Sequence, residues 1–167
     1  MKRNLVLVAI GIAVMILALY AFSPLLYDKK VNEDIREIHP QENTQTDNTN
    51  KNVPENKVAT EEITMISKGD FNGIGGHSGK GTAILVKSNG KYYVRLEDNF
   101  EVTNGPDLYV YLGKDNKYDP NALISQLKGN VGGQNYEVPE GVDTSQYREI
   151  WIWCKAFSVP FAKAELQ

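Results

Sequence analysis

Hydrophobic positions divide the chain into three stretches with different rhythms. From Leu5 to Phe22 the run LVLVAIGIAVMILALYAF carries no charged or strongly polar side chain. As a helix rising 1.5 Å per residue it spans roughly 27 Å, close to the ~30 Å hydrocarbon core of a bilayer. From Asp28 to Thr60 the apolar positions thin out among Asn, Gln, Thr, Glu and Lys, and no aromatic residue interrupts them. Such a segment cannot bury enough surface to offset its chain entropy, which predicts disorder. From Glu61 onward short runs alternate between apolar and polar residues, the period of half-buried strands.

Within that third stretch KSNGKYYVRLE sets Asn89-Gly90 between two alternating runs, the strongest short-range hairpin signal. Tyr92, Val94 and Leu96 fall on one face, Tyr93, Arg95 and Glu97 on the other. LYVYL (108–112) and the run from Ile150 to Cys154 alternate in the same way, and turn clusters SNG, TNGPD, GKDNKYDPN, GNVGGQ and VPEGVD separate them. Short strands with frequent turns predict an all-β, antiparallel β-sandwich or flattened barrel. DPNALISQLKG fits both a short helix capped by Asp119 and an alternating strand. In FSVPFAKAEL the apolar parity switches after Val159, which predicts a bulge near Pro160.

The predicted organisation is therefore residues 1–27 as an N-terminal membrane anchor, 28–60 as a disordered polar linker, and 61–167 as the β-domain. A cleaved signal peptide would need small residues two apart before a cut, and ALYAFSPLLY does not supply them. Lys2 and Arg3 before the apolar run favour a single-pass protein of the cell membrane with its domain outside. Val31, Ile35 and Ile38 sit at helical spacing in the linker, which also holds His39. Net charge is −3 and no basic stripe is visible, so nucleic acid is excluded as a partner.

Candidate chemistry is sparse. GIGGHSGKGT (73–82) lacks the glycine and the hydroxyl residue of a nucleotide-binding loop, with Ile74 and Gly81 in their places. DNKYDPN (115–121) puts Lys117 where a calcium ligand is needed. GxSxG and HExxH motifs are absent, so no hydrolase signature is present. His77 is the one histidine of the β-domain, and Cys154 is the only cysteine of the chain. A lone thiol cannot form a disulfide within its own chain; it packs as a small hydrophobe, or it reacts if exposed and ionised. On a regular strand Cys154 points with Ile150 and Ile152, opposite Trp151, Trp153 and Lys155, and is buried if the aliphatic face is the core.

Taken in order, several segments resemble the DM-thirteen family of electron-transfer domains. They are Gly69-Asp70-Phe71, His77 with Gly81, Val94-Arg95-Leu96 through Phe100, GPDLYVYL (105–112), GNVGGQNYEVP (129–139) and IWCKAFSVPFAKAEL (152–166). The family is associated with DOMON and cytochrome b-type modules in animal proteins and with anchored single-domain proteins in microbes. The resemblance implies a redox role for the cysteine of the IWC motif, here Cys154, and a separate redox partner protein.

Two functions follow as expectations. In the first, Cys154 cycles between thiol and sulfenic acid or a mixed disulfide, or ligates a metal or haem together with His77. In the second, the domain is a non-catalytic surface module that binds a protein, glycan or small ligand, with Cys154 merely buried. The resemblance favours the first.

Overall fold

The computed structural model describes residues 10–17, 27–38 and 62–167. Among the described residues there are ten strands: β1 (Thr64–Gly73), β2 (Gly79–Lys80), β3 (Thr82–Ser88), β4 (Lys91–Leu96), β5 (Glu101–Val102), β6 (Leu108–Lys114), β7 (Lys117–Gln126), β8 (Gln134–Glu137), β9 (Glu149–Cys154) and β10 (Val159–Glu165). Eight of them form one antiparallel sheet in the order β7-β6-β9-β10-β1-β3-β4-β8, while β2 pairs with β5. The all-β, antiparallel expectation holds, in the form of a single curled sheet, a half-barrel, rather than two separate sheets.

The curl turns on β1. Its residues from Thr64 to Asp70 pair with β3, and Phe71–Gly73 pair with β10. Inward side chains from the two halves then meet in one core, with Leu85, Val94 and Leu96 against Val110, Leu112, Ile150 and Ile152. Burial of such side chains stabilises the fold by about 1.5–3 kcal/mol each.

Local sequence accounts for the register. Asn89 and Gly90 take positive φ of 52° and 76°, as a two-residue hairpin turn requires, and Ser88 pairs with Lys91. A register shift falls between Pro160 and Ala162, and Phe161, Ala162, Ala164 and Leu166 are all buried. The ambiguous DPNALISQ is strand, within β7. Ala122 and Ile124 enter the core on alternate positions, which no helix would allow.

Of the Leu5–Phe22 run, residues 10–17 are helical and the rest lies outside the described residues. Among the described residues no helix is long and apolar enough to cross a membrane.

Residues 28–38, expected to be disordered, instead run along the domain as a strap. Lys30 bridges Val131, the Val31 N–H donates to the Val131 carbonyl at 2.9 Å, and the Glu33 N–H donates to the Gly133 carbonyl at 3.0 Å. The Glu33 carboxylate accepts from Lys128 Nζ and from the Asn135 N–H, each at 2.8 Å. A short 3-10 helix, Ile35–Ile38, then lays Ile38 against Ile84 and Val86 on the outer face of β3. Composition misses this because order comes from distant backbone groups and not from the segment's own apolar content. Glycine makes the approach close enough: a Cβ on Gly132 would sit 2.1 Å from the Val31 carbonyl oxygen, and one on Gly129 2.3 Å from that of Lys29. The remainder of the predicted linker, with His39, lies outside the described residues.

Candidate functional site

β9 lies between β6 and β10 and carries Cys154 at its end, opposite Leu108 and Val159. Alternation sends Ile150, Ile152 and Cys154 inward, and all three are 0% exposed. The Cys154 thiol donates to the Pro106 carbonyl at 3.0 Å. That carbonyl belongs to the loop between β5 and β6, which crosses the end of the sheet. Asp107 holds its turn at a φ of 58°, and its carbonyl accepts the Lys155 N–H. On the far side of the loop is a cavity of about 240 Å³, lined among others by Lys29, Pro106, Leu108, Leu127 and Asn130. The thiol is therefore one loop away from solvent, with no direct path to it. A larger cleft of about 650 Å³, between β1 and β10, is lined by polar residues such as Lys68, Asp70, Lys163 and Glu165 and includes neither Cys154 nor His77.

His77 is half-buried in the loop after β1. Its ring stacks on that of Phe161, centroids 3.7 Å apart and planes within 10°. Phe161 in turn presses on the covering loop, since a Cβ on Gly105 would sit 2.7 Å from its ring. Ser78, beside His77, bonds to Thr103 just ahead of the loop. His77 and Cys154 are thus at the same end of the domain, joined through Phe161 and Gly105-Pro106. Among the described residues, no group of three or more His, Cys, Asp or Glu side chains gathers to hold a metal ion. Phe161 covers one face of the imidazole and the Pro106 carbonyl engages the sulfur.

The outer face behind Cys154 is aromatic. Tyr109 pairs with Trp153 and Tyr111 with Trp151 across β6 and β9. Tyr118 from β7 stacks on Trp153 with centroids 4.0 Å apart and meets Tyr111 edge-on at 5.1 Å. Lys155 lies 3.8 Å from the Tyr109 ring centre, so its charge serves this face and not the thiol. One end is fixed by Glu149, whose buried carboxylate accepts Trp151 Nε1–H and the Asn116 N–H, each at 2.8 Å.

Sequence reasoning found Cys154 and His77 but missed the residues that cover the sulfur. Gly105-Pro106 reads as a turn, and nothing in the pattern says what the turn covers.

A family model described as Electron transfer DM13 matches residues 70–166, a span that holds His77, the covering loop and Cys154. No curated protein and no solved structure matches the chain. With more than half its length matched, over nearly all of the curled sheet, the chain belongs to the Electron transfer DM13 family.

Proposed function

We propose that the protein is a membrane-tethered, extracytoplasmic redox domain in which Cys154 is the working group and the Asn104–Asp107 loop controls its access. Leu5–Phe22 would be the membrane span. The observation that carries this is the placement of the thiol: a single loop separates it from a cavity that a partner's sulfur could enter. Surface loops open locally at far lower cost than the sheet beneath them unfolds. Once exposed, the thiol loses its proton to solvent and the thiolate attacks one sulfur of a partner protein's disulfide. A new S–S bond forms, and the partner's second sulfur leaves as a thiolate and takes up a proton. Attack by a further partner thiolate on the partner's sulfur of this mixed disulfide forms an S–S bond between the two partner sulfurs and releases Cys154 as a thiolate, which takes up a proton.

The test is Cys154 alkylation in the full-length chain, followed against reagent concentration in native buffer and in denaturant. Reaction in native buffer, without global unfolding, supports a gated thiol. Reaction only upon global unfolding sinks it.

Complete burial among Ile150 and Ile152 favours a second function, a surface binding module in which the cysteine only packs. In that case Cys154→Ala keeps every interaction of the protein, whereas a working thiol loses its trapped mixed disulfide.

A further inference from the structure

We infer that the end of the domain carrying the Cys154 cover is a membrane-facing surface, held on the bilayer by the strap. The inference rests on the proposed anchoring through Leu5–Phe22 and adds to it a fixed orientation. Three observations converge on this end. First, the strap begins there: the Tyr27 carbonyl accepts from Asn104 Nδ2 at 2.8 Å, and the Lys29 N–H donates to Asn130 Oδ1 at 2.7 Å. Four residues lie between Phe22 and Tyr27, and the five steps from one to the other reach at most about 18 Å, so an anchored chain cannot carry this end far from the lipid while the strap is docked.

Second, the hairpin that joins β9 to β10 projects from the same end. It is tied to the covering loop by the Lys155 N–H bond to the Asp107 carbonyl, and Phe157 on it is 67% exposed. Tyr27 is 74% exposed. Large side chains left bare in this way suit the boundary between headgroups and acyl chains, where aromatic residues gather. Third, Lys29, Lys30 and Lys155 are exposed around them and outnumber the exposed carboxylates of the same end, Asp28 and Asp107. In a domain of acidic balance these are the charges that anionic headgroups would attract. The occupant of this surface is a lipid bilayer, with Phe157 entering the headgroup layer and the lysines lying above it.

The test places a bimane fluorophore at Ala156→Cys or at Ser145→Cys in full-length Cys154→Ala protein. Ser145 precedes the start of β9, and the strand from Glu149 to Cys154 separates the two sites by roughly 17 Å. The protein is reconstituted into phosphatidylcholine–phosphatidylglycerol vesicles that contain headgroup-nitroxide lipid. Quenching severalfold greater at position 156 than at 145, and reduced by Phe157→Asp, is the expected result. Equal quenching at both sites in a chain that resists carbonate extraction overturns the orientation and leaves the anchor standing. Release of the chain by carbonate overturns the anchor, and the membrane-facing surface with it.

Discussion

Gly105 and Phe161 are in contact so close that no side chain fits between them: an added Cβ would come within 2.7 Å of the ring. The same ring carries the stacked His77, and the residue after Gly105 holds the Cys154 thiol. Packing at this one contact therefore governs both candidate residues. Gly105→Ala is expected to lift the loop, speed Cys154 alkylation in native buffer and shift the His77 ring resonances. The overpacking should cost about 1–3 kcal/mol in a denaturant titration. Unchanged alkylation and unchanged His77 signals would separate the loop from both residues.

The strap gives a second expectation. Glu33→Ala removes the acceptor for Lys128 Nζ and for the Asn135 N–H, leaving a backbone donor without its partner. Stability should fall by about 1–3 kcal/mol. Amide exchange should rise at Val31, Glu33 and Asn135 while the β3–β4 ladder stays protected. Uniform loss of protection would mean that the strap is part of the cooperative fold.

Asp119 supplies a pH test. Its carboxylate accepts from the Asn121 N–H first, and also from the Tyr147 hydroxyl at 2.9 Å; both hold its pKa below the ordinary 3.8. Its contribution to stability is thus present above about pH 4 and is lost as pH falls through the lowered folded-state value. Tyr147→Phe should move the Asp119 midpoint upward in an NMR titration. A midpoint that stays in place would assign the shift to the backbone bond alone.

Glu149 predicts a larger effect than its place on an edge of the aromatic face suggests. Its carboxylate is buried and bonded to Trp151 and Asn116, with Lys163 Nζ at 4.0 Å. Trp151→Phe removes one donor and should cost about 1–3 kcal/mol. Denaturation followed by the remaining Trp153 fluorescence gives the number. A cost near zero would mean that water replaces the indole without penalty.

Local rules carried much of the sheet. Asn89-Gly90 specified its turn, the parity switch after Val159 located the bulge, and alternation from Ile150 to Cys154 placed the thiol inward. Each of these depends on neighbours within a few residues. The strap and the covering loop depend on partners far along the chain, with Val31 on Val131 and Pro106 on Cys154. Polar composition in 28–38 reads as solvated chain, because it says nothing of the glycines waiting at 129, 132 and 133. The outer face of β3 reads differently for the same reason: Ile84 and Val86 look surplus to a one-sided strand until Ile38 covers them.

The strap also has a mechanical consequence. A pull on the N-terminal end meets the bonds at Tyr27, Lys29, Val31 and Glu33 in turn, before any tension reaches β1 at the seam of the sheet. Peeled off, residues 27–63 would pay out about 120 Å of extended chain at ~3.3 Å each. A domain anchored as proposed would then have two tether lengths, one short with the strap docked and one long with it peeled away.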